Sequence, residues 1–337
     1  MRLCFTRNFC LALLFAAGCV LSAGCPGGGG GGEKAKFTIG MSQCNLGEPY
    51  RVQMDEDIRQ AAKAHPEIKV VFKDAGRDAS RQRSQVEEMI SAKYDLIIIS
   101  PLEAAPLTAP VAKAIDAGIP VIVLDRAVNG DKYTCFIGAD NREIGEEAGR
   151  WISETLGGKG KIVELRGQVT SVPGVDRHEG FLKGIEGSEL EVIFEADMEW
   201  LEDKAKKEME SALARYKEID LVYAHNDPAA HGAYLAAKAA GREKEMKFVG
   251  VDALPQEGQM YVKQGILDAT FLYPTGGKEA VEVAMKILKS PMASRCALSG
   301  KAAISCSILC SDTAAIIGCC CLTGGWKVMK ERLRISN

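Results

Sequence analysis

Eight residues in this chain can do recognisable chemistry together: Tyr50-Arg51, Asp125-Arg126, Arg177, Trp200, Asn226 and Asp252. Arg, Asp and Asn present planar forks of donors or acceptors, which match pairs of hydroxyl groups. Flat aromatics such as Tyr50 and Trp200 pack against the apolar face of a ring. That combination suits a sugar. Each member also has a structural alternative. An Asp–Arg pair can be an ion pair within the fold, Asp252 or Asn226 can cap a helix, and Trp200 can be core. Their placement separates the readings, and it comes from the elements that carry them.

From Lys36 the chain alternates short apolar runs with helical periodicity. Strands are expected at 37–41, 68–72, 96–99, 120–124 and 133–137, and helices at 49–64, 79–92 and 107–117. The pattern then restarts. Strands are expected at 161–165, 191–194, 221–224, 248–251 and 268–272, and helices at 141–156, 174–185, 204–216, 229–240, 256–264 and 276–289. Continuous apolar strands such as Leu96-Ile97-Ile98-Ile99 belong in parallel sheets buried on both faces. About ten strands strain one twisted sheet, so the fold class is α/β with two doubly wound parallel-sheet lobes. Ligands of such sheets bind beyond the carboxyl ends of the strands. Nearly every residue of the chemical set falls there, at equivalent places in both halves, which favours a site between two lobes.

The 337 residues are 47% hydrophobic and 26% charged, which excludes a disordered or fibrous chain. The net charge of −3, from 42 basic and 45 acidic residues, gives no basic excess for nucleic acid. The 12 cysteines are unevenly spread: four in the first 25 residues, six after Pro291, and only Cys44 and Cys135 between. The front end reads as a targeting segment, with Arg2 and Arg7 before the apolar run Phe9–Leu21. That run is too short for a permanent span. Leu21-Ser22-Ala23-Gly24-Cys25 resembles a lipobox, with Ala16-Ala17-Gly18-Cys19 a weaker candidate. Pro26 and Gly27–Gly32 then form a flexible tether. Residues 1–24 are thus expected to be a lipoprotein signal peptide, Cys25 the lipidation site and 25–35 a tether. The alternative is a plain secretory signal cut near Ala23. Both export the protein to the periplasm or cell envelope.

Several segments resemble the ribose- and galactose-type periplasmic solute-binding proteins of ABC transporters, over nearly all of 36–289. They are Ile39–Gln43, Pro120–Arg126 (PVIVLDR), Gly138–Asn141 (GADN), Asp176–Phe181 (DRHEGF), Tyr223–Asp227 (YAHND) and Gly250-Val251-Asp252. Ser42-Gln43, Tyr50-Arg51 and the Ala-His-Asn-Asp run are most similar to the galactofuranose-binding branch. The resemblance implies a type I periplasmic binding protein with a multi-crossing hinge. It divides the chain into a first lobe, 36–138 plus 274–289, and a second, 139–273. It implies ligand contacts from Tyr50, Arg51, Asp125 and Arg126 in the first lobe, and from Arg177, Trp200, Asn226 and Asp252 in the second. It adds Glu48, where a ribose binder carries Asn, and Tyr273 on the hinge return. The implied partners are a monosaccharide and an ABC permease, the implied state a lipid-anchored monomer, and no cofactor, metal or catalytic residue is expected. The alternative partner is a membrane receptor that reads occupancy of a sugar or autoinducer.

An enzyme is disfavoured. His178-Glu179 and His225-Asn226 are only sequence neighbours, and adjacent helical residues do not face one another. No Gly-x-Gly-x-x-Gly or phosphate loop follows the first strand, and no Cys/His set in the middle has metal spacing. A sugar-responsive repressor would need a DNA-reading headpiece where the export signal stands. The resemblance stops after Lys289. Residues 290–337 form an anomalous Cys-rich tail without paired Cys-x-x-Cys spacing, as an altered reading frame near codon 290 would produce, and are expected to lie outside the fold.

Overall fold

The computed structural model describes residues 35–290 throughout and, beyond them, the strand backbone at 300–303, 306–310, 316–319 and 328–331. The expected signal peptide, Cys25 and almost all of the tether lie outside the described residues. The first sheet is built from β1 (Phe37–Gln43), β2 (Ile68–Asp74), β3 (Leu96–Ile99), β4 (Val121–Leu124) and β5 (Cys135–Gly138), with α1 (Pro49–Ala62), α2 (Ala79–Ser91) and α3 (Ala104–Asp116) between them. These five strands are parallel in the order β5-β4-β3-β1-β2. The second lobe runs α4 (Asn141–Leu156), β6 (Lys159–Arg166), α5 (Val172–Gly184), β7 (Glu189–Asp197), α6 (Glu202–Arg215), β8 (Leu221–Ala224), α7 (Asp227–Ala239), β9 (Lys247–Asp252), α8 (Gly258–Lys263) and β10 (Ala269–Leu272). Its parallel order is β10-β9-β8-β6-β7. Helix α9 (Gly277–Lys289) then packs back on α1, β3 and β4.

The two sheets share one topology, with the strand order reversing between β1 and β3 and again between β6 and β8. A crevice opens at the carboxyl ends of the strands at such switch points. Strands β3 and β4 are buried along their whole length, which explains their unbroken apolar sequence. Helix starts are set by side-chain caps: Asp78 on α2, Asp140 on α4, Ser171 on α5 and Asn226 on α7. Helix α3 begins at Ala104, three residues before its expected start. Pro106 falls in its first turn, where the missing N–H costs no helical bond. Helices α4 and α5 lie very close, because a Cβ on Gly145 would sit 2.2 Å from the Arg177 carbonyl oxygen. That contact sets the height of Arg177 relative to the crevice.

The chain passes to the second lobe between β5 and α4 and returns between β10 and α9. The tail, expected outside the fold, instead contributes strand backbone to both sheets. Strand β11 (Gly300–Ala303) pairs parallel with β5, and β12 (Cys306–Cys310) pairs antiparallel with β10. Strands β13 (Ile316–Cys319) and β14 (Val328–Glu331) continue the second sheet. Both β5 and β10 otherwise end their sheets with unpaired backbone groups, which any extended segment can satisfy whatever its side chains. Strand β11 thus belongs to the first sheet and β12 to the second. Among the described residues no helix is long and apolar enough to cross a membrane.

Candidate functional site

All ten expected binding residues line one cavity between the two sheets, joined by Pro173. From the first lobe come Glu48, Tyr50 and Arg51, after β1, and Asp125-Arg126, after β4. From the second come Arg177 on α5, Trp200 after β7, Asn226 after β8, Asp252 closing β9 and Tyr273 after β10. The free volume between these side chains is about 20 Å³, room for about one water, so the lobes must part before a ligand can enter.

Asp125 is the centre of the first lobe's contribution. It accepts from Arg51 Nη1 and from the Tyr273 hydroxyl, each at 2.6 Å. Burial works against its charge, but Arg51, Arg126 and the Tyr273 hydrogen bond hold its carboxyl below the usual range. Burial likewise opposes the charge on Arg51, yet Asp125, Cys44 and Glu48 outweigh it and raise its pKa further. Arg51 Nη1 also donates to Ser100 Oγ at 3.0 Å. Glu48 is aimed by Asn45 Nδ2 at 2.9 Å and Arg77 Nη1 at 3.2 Å, and stands 3.9 Å from Arg126 Nη2. Tyr50 donates to the Pro274 carbonyl at 3.1 Å and packs on Tyr273 with ring centroids 5.4 Å apart.

In the second lobe Arg177 donates from Nε to Asn141 Oδ1 at 2.9 Å and from Nη1 to the His225 carbonyl. Its guanidinium lies over the Tyr273 ring at 4.6 Å and the Trp200 ring at 5.5 Å, while Arg126 faces Trp200 at 5.7 Å. Asp252 is 3.9 Å from Arg177 Nη1. Burial pushes its carboxyl well up against the pull of Arg177, aided by Asp227 and Glu257. A carboxyl that retains its proton offers a hydroxyl both a donor and an acceptor.

The structural alternatives of the sequence reading turn out to coexist with the cavity. Asn226 caps α7 by accepting from Ala229 N at 3.0 Å, and it also lines the cavity. The Asp125–Arg51 pair is a buried ion pair and also a wall of the site. Asp252 is not a cap but the last residue of β9. Three of the cavity residues hold left-handed backbone: Asp125 at φ 67°, Trp200 at 67° and Asp252 at 117°. Such conformations cost of order 1–3 kcal/mol each and concentrate at functional sites. They turn these side chains into the crevice where an extended strand would direct them into a layer. Three buried N–H donors on the lining have no hydrogen-bond partner: Arg51 Nε, Arg126 Nε and Trp200 Nε1. Such donors are rarely left unsatisfied, and ligand oxygens can accept from them.

Sequence reasoning missed Pro173, Ser100 and Gly167. Ser100 immediately follows β3, so the strand-end rule alone points to it. Gly167 carries no chemistry, but a Cβ there would lie 2.1 Å from Trp200 Cη2, so the ring occupies that space. No local signal marks it.

A family model described as a periplasmic binding protein domain matches residues 39–291. The chain is similar to the ribose import binding protein of Bacillus subtilis (strain 168), at 32% identity over 263 residues, covering 76% of this chain and 83% of that one. It is similar to the galactofuranose-binding protein of Escherichia coli (strain K12), at 29% identity over 231 residues, covering 66% and 72%. Among solved structures it is similar to the fructose binding periplasmic domain of a hybrid two component system, with a TM-score of 0.77 and 43% identity over 82% of this chain and 92% of that one. The shared strand order, the crevice at the strand ends and these matches place the chain in one family: it is a periplasmic binding protein.

Proposed function

We propose that this protein captures a monosaccharide between its two lobes and presents it to an ABC permease. The observation that carries the reading is the cavity itself, where guanidinium and carboxyl forks from both sheets converge beside Tyr50, Trp200 and Tyr273. Relatives named for ribose, galactofuranose and fructose support a compact polyhydroxylated ligand. The mechanism is binding, without a chemical step. The lobes close on the sugar, and the ligand stabilises the closed form only by its better contacts there. The ten expected residues on the cavity lining are the proposed contacts. Export and a lipid anchor at Cys25, followed by the glycine tether, would hold a monomer at the membrane beside its permease. Mass spectrometry of the mature N-terminus tests that anchor.

The test of function is a thermal-shift and calorimetric screen of the mature protein against neutral pentoses, hexoses and polyols. A ligand of the folded state alone raises the melting temperature by mass action. A shift with an amino acid and with no sugar would overturn the substrate class. A second reading is favoured by the fructose binding domain of a hybrid two component system, the solved structure at 43% identity. In it the same pocket reports sugar to a membrane receptor instead of delivering it. Loss of sugar uptake on deletion supports delivery, whereas intact uptake with a lost transcriptional response supports sensing.

A further inference from the structure

Glu164 is a fully buried carboxylate on β6, behind the cavity, and sugar capture does not use it. His178 Nδ1 lies 2.9 and 3.0 Å from its two oxygens, and His225 Nε2 lies 2.9 Å from Oε1. These histidines flank the hydrogen bond that aims Arg177. His178 is the next residue on α5, and His225 supplies the carbonyl that accepts from Arg177 Nη1. One carboxylate therefore grips both the neighbour of the donor and the residue that accepts.

We propose that Glu164 is a positioning residue: with His178 and His225 it braces Arg177 against the bound solute and ties solute affinity to the protonation of His178. The proposal rests on the monosaccharide reading for its ligand and on geometry for its parts.

The hydrogen bonds assign the protons. His225 is fully buried and its Nδ1 has no partner, so its one proton belongs on Nε2, facing Glu164. Protonating Nδ1 as well would bury a charged donor with no acceptor. His178 is partly open to solvent and can take the second proton. Other charged or titratable groups face the brace from each side: Arg166 on β6, Arg177 on α5, Glu195 on β7 and Tyr223 on β8, opposite Glu164 in register. Burial pushes the Glu164 carboxyl up, but hydrogen bonds from the two imidazoles bring it below the usual range, so it stays ionised. Burial lowers the pKa of His225, and the hydrogen bond to Glu164 raises that of His178.

The sign follows. A raised histidine contributes fully below its unfolded value of about 6.5, and that contribution fades as pH rises through the raised folded value. Above it Glu164 faces two neutral imidazoles, its bond to His178 is no longer between opposite charges, and the turn of α5 that carries Arg177 is held less firmly. Glu164, His178 and Glu195 also offer ligand atoms within 4.8 Å of one another. A cation there would compete with Arg166, which already donates to Glu195 at 3.3 Å, and with both imidazoles on Glu164.

Calorimetry with the sugar panel at about pH 6 and about pH 8.5 tests this on wild type, E164Q and H178Q, alongside ligand-free NMR of the His178 ring and the Arg177 Nε–H. Wild-type Kd is expected to weaken about three- to tenfold at the higher pH, and E164Q to bind about three- to tenfold more weakly at the lower pH. Both variants lose the pH step. The Arg177 Nε–H signal is expected to move with His178 titration in wild type and to stay still in E164Q. A pH step that survives in both variants, or an Arg177 signal indifferent to His178, overturns the brace. If E164Q does not fold, H178Q carries both readouts. If no sugar binds wild type, the monosaccharide reading fails, and the Arg177 signal alone decides the brace.

Discussion

Arg77 on the first lobe donates from Nη2 to the backbone carbonyl of Glu199 on the second, 3.1 Å away, and from Nη1 to Glu48 of the cavity. Both Arg77 and Glu199 hold left-handed backbone, at φ 64° and 51°, and Glu199 is the neighbour of Trp200. One side chain thus joins the rims of the two lobes and aims a wall residue of the site. Arg77→Ala is expected to weaken sugar binding about three- to tenfold. Small-angle scattering without ligand should show a larger radius of gyration than wild type, and an unchanged radius would argue against the latch.

Gly167→Ala tests the seat of Trp200. The new Cβ would fall 2.1–2.3 Å from three atoms of the indole, so the ring must leave its place. Overpacking of this kind costs about 1–3 kcal/mol of stability. Urea unfolding should show that loss, and sugar affinity should fall with it because the ring faces Arg126 and Arg177.

Asp125→Asn removes the charge that holds Arg51 and leaves the Glu48 carboxylate, 3.6 Å from Arg51 and 3.9 Å from Arg126, to face two buried guanidinium groups. Breaking a buried pair in this way costs about 3–5 kcal/mol. The wild-type carboxyl has a lowered folded pKa, so its contribution is present above the unfolded value of about 3.9 and is lost as pH falls through the lowered value. Denaturant titrations should therefore show the variant less stable at neutral pH, with the gap closing only in strong acid.

Asp227 behaves in the opposite sense. Burial raises its carboxyl to about 8, against hydrogen bonds from Thr270 Oγ1 at 2.6 Å and Ala253 N at 2.7 Å. Its unfolded form ionises near pH 3.9 while the folded form stays protonated, so stability falls as pH rises from about 4 to about 8. The slope from this group is at most about 1.4 kcal/mol per pH unit. Asp227→Asn keeps the shape without the charge. It should flatten that part of the profile and raise stability near pH 8, read by unfolding at a series of pH values.

Much of the chemical set was legible because Asp125, Arg126, Trp200 and Asn226 sit just after apolar strands and Asp252 ends one, and parallel sheets open their crevices there. Asp125, Trp200, Asn226 and Asp252 all follow from that rule. Tyr273, directly after β10, obeys the same rule, but it and Glu48 came from family resemblance alone. Gly167 was invisible because its role is the space it leaves for a ring 33 positions away. The tail's cysteines made it read as foreign to the fold, since side-chain pattern was the only guide. Edge pairing depends on backbone, and it gave strands β11 and β12 a place beside β5 and β10.

Sequence alone determined the alternation of strand and helix, the division into two lobes and the residues at their facing ends. The periodicities of buried strands and amphipathic helices are local, so they survive in one dimension. Tertiary structure decided the pairings: Tyr273 with Asp125 across 148 positions, Arg51 with Asp125 across 74, and Glu164 with both His178 and His225. Those depend on strand order and on how closely helices approach, and no local periodicity records either.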